Sequence, residues 1–245
     1  ATILRIGGKK VKVVQPSTQD ELREALKASA AAGERILLGG GFTKDAMGGT
    51  VEGASTRIST SGLKRVLAYE PKDLTLSVEA GLPWAELTAM IGRERQMIPL
   101  DPPLGEVSTV GGVAAANLSG SRRRLYGTAR DMVIGMSYAT LDGEVAESGA
   151  LVVKSVAGYD IHKLLIGSFG TLAAIVSVNF KVAPAPEITR TFVFSSAAIE
   201  PAMEMRGRIA ASVLQPAAVD YLNPAASRSA GDRKSTRLNS SHVSQ

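Results

Sequence analysis

Cysteine is absent from the 245 residues, and histidine and aromatic residues are scarce. Without cysteine the chain cannot form disulfides, ligate iron–sulfur clusters, use a catalytic thiolate or attach a cofactor through sulfur. Only His162 and His242 carry imidazoles, so a site built from several histidine ligands is not expected, and we predict no metal. The aromatic content of 4% offers few platforms for stacking bases, which argues against nucleic-acid binding.

Long apolar runs are also lacking. None approaches the ~20 residues that a membrane-spanning helix needs, and no basic-then-apolar leader is recognisable. We therefore expect a cytoplasmic protein without a transmembrane segment, which could still be held at the inner face of the membrane through partners. The chain begins at Ala1 without a methionine, so we expect the natural N-terminus to lie upstream.

The formal charge of +5 is unevenly distributed, because residues 228–245 carry three of the five charges. The rest of the chain is nearly balanced and gives no reason to expect a polyanionic partner. From residue 227 onwards the sequence is rich in serine and arginine and has no hydrophobic periodicity. We interpret residues 227–245 as a disordered tail or a sequence artefact that resembles translated adapter sequence.

Two glycine-rich stretches, about seventy residues apart, carry most of the functional information. The first is Gly39-Gly40-Gly41-Phe42-Thr43, which follows the apolar run Ile36-Leu37-Leu38. Three glycines after a buried strand remove side chains from a turn, so that backbone N–H groups can converge on an anion. A plain turn is the alternative. Thr43 could add a hydroxyl, and Lys44 could either lend charge or be a solvated lysine.

The second stretch runs from Ser108 to Gly120 and contains Gly111-Gly112 followed by Ala114, Ala115 and Ala116. Small residues at the start of a helix let a diphosphate or a flat ring approach the backbone, and the helix N-terminus favours negative charge. Tight packing of a helix on a sheet is the alternative. Two such bare surfaces suit an extended ligand with a diphosphate in its middle, and we predict a flavin-dinucleotide site.

The surrounding patterns predict alternating helices and strands. Thr18-Gln19-Asp20-Glu21 is a capping box that opens a helix whose inward face holds Leu22, Ala25, Leu26 and Ala30. Residues 74–79 alternate as a half-buried strand, Pro83 starts a helix with Trp84 as a core anchor, and Asp142-Gly143 marks a hairpin. Residues 172–182 form the longest predicted strand.

Three other features have simpler explanations than a functional one. Arg122-Arg123-Arg124 could clamp a phosphate or bind a partner, but exposed arginine runs are usually solvated. His162 is interpreted as a structural or surface histidine rather than a general base. With one usable histidine, no Ser/His/Asp arrangement or paired acid–base mechanism is supported, and no catalytic side chain is assigned.

Taken in order, five motifs resemble the flavin-linked oxidases of the vanillyl-alcohol-oxidase / para-cresol-methylhydroxylase (PCMH) type. They are Gly39-Gly40-Gly41-x-Thr43, Thr109-Val110-Gly111-Gly112-x-Ala114-Ala115-x-Asn117-x-Ser119-Gly120, Tyr126-Gly127-x-x-Arg130-Asp131, Val153-Lys154-x-Val156-Ala157-Gly158-Tyr159-Asp160 and Gly167-Ser168-Phe169-Gly170-Thr171-Leu172. The Gly-Tyr-Asp element and Gln96-Met97-x-x-x-Asp101-Pro102-Pro103 are most similar to the smaller FAD-binding subunit of bacterial glycolate oxidase. Ala173 and Ser155 depart from the usual glycine and asparagine.

The resemblance implies an α+β fold: a two-subdomain PCMH-type FAD-binding domain over residues 1–186, followed by the truncated start of an α+β cap domain over residues 187–226. It implies FAD as the cofactor, without a covalent bond because the usual histidine is missing. The implied cofactor-binding residues lie in the two glycine stretches and near residue 175. They are Gly39, Gly40, Gly41, Phe42, Thr43, Ser108, Thr109, Val110, Gly111, Gly112, Ala115, Asn117, Ser119, Gly120, Gly170 and Ile175.

The expected function is that of an FAD-binding subunit or domain of a 2-hydroxy-acid oxidase or dehydrogenase, with a small glycolate-like substrate. Hydride transfer would run from the substrate α-carbon to flavin N5. The expected partners are a homologous flavin subunit and an iron–sulfur subunit. The alternatives are a non-catalytic flavin-binding or scaffold subunit of such a complex, and a relic whose loops bind nothing.

Overall fold

A computed structural model describes residues 2–6, 9–45, 47, 49, 53–151, 159–229 and 236–241. Its strands in chain order are β1 Thr2–Ile6, β2 Lys9–Val14, β3 Ile36–Gly39, β4 Thr56–Ser59, β5 Val66–Glu70, β6 Thr75–Glu79, β7 Gln96–Met97, β8 Val133–Ala139, β9 Val145–Gly149, β10 Ala174–Lys181, β11 Ala183–Pro184, β12 Phe192–Ser196, β13 Ala218–Leu222 and β14 Thr236–Ser241. The α-helices are α1 Gln19–Ala31, α2 Trp84–Gly92, α3 Val110–Ala115, α4 Arg123–Tyr126, α5 Ala129–Met132, α6 Ile161–Leu165, α7 Ile199–Ala211 and α8 Pro224–Ser229.

The first subdomain is a four-stranded sheet of order β1-β2-β4-β3 with helix α1. Strands β2 and β3 both pair in parallel with β4, as expected when a helix connects strands that run in the same direction. Helix α1 begins as predicted, because the Thr18 hydroxyl accepts a hydrogen bond from the Glu21 N–H. Its buried face holds Leu22, Leu26 and Ser29, so the prediction of Ala30 on that face was wrong by one position.

The second subdomain is a five-stranded antiparallel sheet of order β5-β6-β10-β8-β9. Its core includes Trp84 of α2, which packs edge-on against Phe180 of β10, so the prediction of a core anchor is confirmed. Strand β6 is buried along its whole length, including its polar residues, so the prediction of a half-buried strand was wrong. Burial of Glu79 is compensated because Arg65 donates to its carboxylate from both the backbone N–H and Nε.

The two subdomains meet along a common core. Leu22 and Leu26 of α1 belong to the same apolar cluster as Ala139 of β8 and Ala174 and Val176 of β10. The Arg23 Nε also donates to the Gly143 carbonyl at 2.8 Å, which ties α1 to the predicted β8–β9 hairpin turn. Contacts of this kind fix the orientation of one sheet relative to the other. The α+β fold class is therefore confirmed.

Residues 187–226 hold the predicted strand–helix–strand unit, here β12, α7 and β13. The two strands are not neighbours, because β14 lies between them and pairs antiparallel with both. Strand β14 falls within the tail, and the interpretation of residues 227–245 as a disordered tail or a sequence artefact stays a prediction. The domain boundaries also stay predictions.

Within the described part of the chain, no helix combines the length and apolar character that crossing a membrane requires.

Candidate functional site

The two predicted glycine stretches meet in space and form two walls of one cleft of about 280 Å³. The first stretch begins at the last residue of β3, and the second includes helix α3. They pack closely, because a Cβ added to Gly40 would overlap the Thr109 hydroxyl and lie 2.9 Å from its Cβ. Any side chain at position 40 would therefore push the two loops apart. The contact between the loops explains why this residue is glycine.

The first loop presents its backbone N–H groups away from the sheet. The Ser59 hydroxyl donates to the Gly40 carbonyl at 2.8 Å, and the Thr60 hydroxyl lies 3.5 Å from the Gly39 carbonyl. In a trans peptide the N–H points opposite to the C=O, so the N–H groups of Gly40 and Gly41 point away from those hydroxyls. Among the described residues, neither N–H has a hydrogen-bond acceptor. The loop thus offers the donors that an anion needs.

Phe42 closes one side of the first loop. It adopts a left-handed backbone conformation with φ of 54°, and its ring occupies the space in which a Cβ of Gly39 would lie. The Arg57 guanidinium stacks on this ring, 3.7 Å from the centroid, and also pairs with the Asp45 carboxylate. Burial raises the pKa of Asp45, while the neighbouring Arg57 opposes that rise. This arrangement holds the loop in one conformation.

Helix α3 supplies the floor of the cleft. The Thr109 hydroxyl caps it by accepting from the Gly112 N–H at 3.3 Å. Gly111 packs against Ala80, the residue that follows β6, because an added Cβ would lie 2.7 Å from the Ala80 Cβ. This supports the helix–sheet packing alternative at that position. An added Cβ at Gly112 would meet only the Thr109 hydroxyl, at 3.1 Å, and otherwise face open space. Gly112, Ala115 and Ala116 therefore leave the floor bare.

Residues 169–175 form the third wall, at the start of β10. Phe169, Gly170, Thr171, Ala173 and Ile175 all line the cleft. The Phe169 N–H donates to the Ala115 carbonyl at 2.9 Å, which fixes this segment to the end of α3. Phe169 has φ of 52°, so two phenylalanines with left-handed backbones flank the same cleft. Left-handed conformations of residues other than glycine are concentrated at ligand-binding and active sites.

Eleven of the sixteen predicted cofactor-binding residues line the cleft: Gly39, Gly40, Gly41, Phe42, Thr43, Thr109, Gly111, Gly112, Ala115, Gly170 and Ile175. The other five do not line it. They are Ser108, Val110, Asn117, Ser119 and Gly120. Val110 lies in the core, and Ser108 and Ser119 are buried, where the Ser119 hydroxyl accepts from the Ala129 N–H. Which of the sixteen contact a cofactor stays a prediction.

The sequence reasoning missed several cleft residues. Thr60, Phe169 and Thr171 line the cleft together with Asp45. Phe169 and Thr171 lie in the last of the five motifs, so that motif could have indicated them. Nothing in the local sequence marks Thr60, which reaches the cleft only because β4 pairs with β3.

A family model described as "FAD binding domain" matches residues 11–149, more than half of the chain. The chain belongs to this FAD-binding family, of the PCMH type. The predicted family is confirmed, and with it FAD as the cofactor.

Curated relatives include glycolate oxidase subunits and a D-lactate dehydrogenase. The chain is 33% identical over 152 residues to the glycolate oxidase subunit GlcE of Escherichia coli, covering 62% of this chain and 43% of that protein. It is 30% identical over 211 residues to the mitochondrial D-lactate dehydrogenase [cytochrome] of Arabidopsis thaliana, covering 86% and 37%. It is 29% identical over 213 residues to the glycolate oxidase subunit GlcD of Bacillus subtilis, covering 86% and 45%. The chain spans less than half the length of each of these relatives.

A solved structure of alkyldihydroxyacetonephosphate synthase has a similar fold. It superposes with a TM-score of 0.73 at 22% identity, covering 89% of this chain and 41% of that one. This similarity supports the fold alone.

The cleft fits the FAD that the family binds. FAD carries a diphosphate between two ring systems, and the cleft offers two backbone N–H groups without an acceptor among the described residues, beside a floor of glycine and alanine. The space that a Cβ of Gly112 would occupy is largely open, so a ligand can reach the backbone there. These features lie on both predicted glycine stretches.

The remaining candidates have structural roles. Arg122 pairs with Asp101 at 3.1 Å, and Arg124 donates to the Pro216 carbonyl at 3.0 Å, so these two arginines are not simply solvated. His162 is buried, and its Nδ1 lies 3.0 Å from the Ser148 hydroxyl. Most of the motif at residues 153–160 lies outside the described residues, as does Ser155.

Proposed function

We propose that this chain is the FAD-binding subunit or domain of a 2-hydroxy-acid oxidase or dehydrogenase with a small, glycolate-like substrate. The observation that carries the proposal is the meeting of the two glycine stretches at one cleft. The names of the relatives, glycolate oxidase subunits and a D-lactate dehydrogenase, supply the substrate class.

The residues of the chain would bind and orient the cofactor. The loop of Gly40 and Gly41 would hold the diphosphate through its backbone N–H groups, and Gly112 and Ala115 would allow close approach of the rest of the molecule. Bound FAD would supply the acceptor for a hydride from the α-carbon of the substrate. No histidine or cysteine lines the described cleft, which supports non-covalent binding. No catalytic side chain is assigned.

We also propose that the chain works in a cytoplasmic complex with a homologous flavin subunit and an iron–sulfur subunit. Two of the relatives are themselves named as subunits of glycolate oxidase, which supports an assembly. The same fact favours a second candidate, in which the chain holds flavin or stabilises a catalytic partner without oxidising substrate itself.

The visible absorption spectrum of the purified 245-residue chain tests the cofactor proposal. We expect flavin bands, and we expect the yellow colour to pass through a filter after heat denaturation because no covalent bond retains it. Flavin that stays with the precipitated protein would refute non-covalent attachment. A colourless protein that takes up no added FAD would refute the proposed function.

Anaerobic mixing of the flavin-loaded chain with glycolate or D-lactate separates the two candidates. Bleaching of the flavin bands by the chain alone would support the catalytic role. Bleaching only when the copurifying partner subunits are present would support the scaffold role.

A further inference from the structure

Lys44 lies between the two glycine stretches and contacts both. Its ammonium donates to the Thr43 hydroxyl at 3.0 Å and to the buried Ser108 hydroxyl, which itself donates to the Leu104 carbonyl at 2.6 Å. The side chain is half-buried and lines the cleft, so the alternative of a solvated lysine does not hold. Ser108 thus lies behind the lysine rather than on the cleft surface.

The positive charge of Lys44 has no acidic partner among the described residues. The described ion pairs involve other cations, and the neighbouring carboxylate, Asp45, pairs with Arg57. Burial lowers the pKa of Lys44, which is the effect expected of an ammonium that has lost water without gaining a counter-ion. An unpaired, partly desolvated cation is costly unless a ligand supplies the opposite charge.

The anion that the proposed function places beside this lysine is a diphosphate. Gly40 and Gly41, whose N–H groups have no acceptor among the described residues, belong to the same loop and line the same cleft. Hydrogen bonds to phosphate from an ammonium are stronger than those from neutral backbone donors alone. We propose that Lys44 is the charged residue of the diphosphate site, held in position by the Thr43 and Ser108 hydroxyls. This inference rests on the proposed function.

Titration of the cofactor-free 245-residue chain with FAD, ADP and adenosine tests the role of Lys44. ADP retains the diphosphate, whereas adenosine lacks it. In Lys44→Gln we expect FAD and ADP to bind about 10- to 100-fold more weakly, and adenosine to bind as in the wild type, because only the charge-assisted contact is lost. Lys44→Arg should restore most of the affinity, and the exposed Lys181→Gln is the matched control.

Thermal unfolding without ligand separates binding from folding. Since the charge is partly desolvated and unpaired, Lys44→Gln should unfold at the same temperature as the wild type or a higher one. Binding of FAD within twofold of the wild type would overturn the inference while leaving the proposed function intact. An equal loss for ADP and adenosine would also overturn it, because the effect would then not concern the diphosphate. Failure of the wild type to bind FAD would overturn both.

Discussion

At the scale of single residues, adjacent glycines in the cleft have different reasons to be glycine. Gly111 has no room for a Cβ against Ala80, whereas Gly112 has open space beyond the Thr109 hydroxyl. The first is required by the packing of α3 on β6. Gly112 instead leaves the cleft floor without a side chain at that point, which has an effect only when a ligand binds in the cleft. A pair of alanine substitutions therefore separates folding from ligand binding.

Gly112→Ala should change stability little and weaken FAD binding, because the close approach of the new methyl group to the Thr109 hydroxyl, at 3.1 Å, offsets the gain in helix propensity. Alanine in a helix is favoured over glycine by about 0.5–1 kcal/mol, while the new methyl group would project towards the ligand. Gly111→Ala should instead lower the unfolding temperature, because its methyl collides with Ala80. Unfolding curves and FAD titrations measure both effects. Unchanged FAD affinity in a folded Gly112→Ala variant would show that the floor does not contact the cofactor.

Ser59 orients the first loop although it does not line the cleft. Its hydroxyl donates to the Gly40 carbonyl, which directs the next N–H away from the sheet. Ser59→Ala should destabilise the protein by about 1–3 kcal/mol, because a buried carbonyl loses its donor, and should also weaken FAD binding. Ser61→Ala is the control, since that hydroxyl contacts Ser59 and Gln15 rather than the loop. Equal FAD affinity in both variants would contradict the orienting role.

At the scale of elements, α6 is joined to β9 by a buried histidine. The Ser148 hydroxyl donates to the Tyr159 carbonyl and accepts from the His162 backbone N–H. Because the Ser148 hydroxyl donates its only proton to the Tyr159 carbonyl, it must accept the hydrogen bond from His162 Nδ1. Nδ1 therefore carries the proton of the neutral ring. The structural interpretation of His162 made from the sequence fits this network.

Burial of His162 should make stability depend on pH. Burial lowers the pKa of His162 below its ordinary value near 6.5, and the nearby Asp160 carboxylate opposes that effect in part. The unfolded chain then binds more protons than the folded chain below that pH. The contribution of neutral His162 to the free energy of unfolding is therefore complete above about pH 6.5. It is lost as the pH falls through the lower pKa that His162 has in the folded state.

Urea unfolding between pH 7.5 and 5 measures this dependence. His162→Asn retains an N–H near the position of Nδ1 but does not titrate, so its stability should fall less with acidification than that of the wild type. The acidic groups are common to both proteins. Parallel stability curves for the two proteins would contradict the assignment.

At the scale of the whole molecule, apolar side chains are exposed on the unit that follows the FAD-binding region. Phe192 and Phe194 of β12 are about half exposed, and Val213, just after α7, is 97% exposed. Apolar side chains gathered on one unit favour association. The FAD cleft lies between other elements, so it is not formed by this surface.

We predict that the chain self-associates at high concentration through this unit. The double variant Phe192→Ser/Phe194→Ser should shift the mass measured by light scattering towards the monomer, because it removes two rings from one face of β12. Leu141→Ser, at an exposed leucine before the β8–β9 turn, is the control and should change nothing. A wild-type chain that stays monomeric at all concentrations would contradict the prediction.

Local sequence determined the type of most elements and the nature of the site. The capping residue Thr18, the helix at Pro83 and the turn at Gly143 were predictable because their physical causes act between near neighbours. The glycine stretches indicated a dinucleotide because backbone exposure depends on residue type. The order of the five motifs then indicated the protein family. Periodicity misplaced Ala30 and treated β6 as half-buried, because burial depends on what covers an element.

Tertiary structure decided which residues meet. Thr60 reaches the cleft through the pairing of β3 with β4, and Phe169 through a hydrogen bond to Ala115, neither of which follows from spacing. The structure also separated Gly111 from Gly112 and gave Lys44 its place between the loops. The reason is physical: clearance, desolvation and unpaired charge arise from contacts between segments that are far apart in the chain, so the sequence specifies them only through the complete fold.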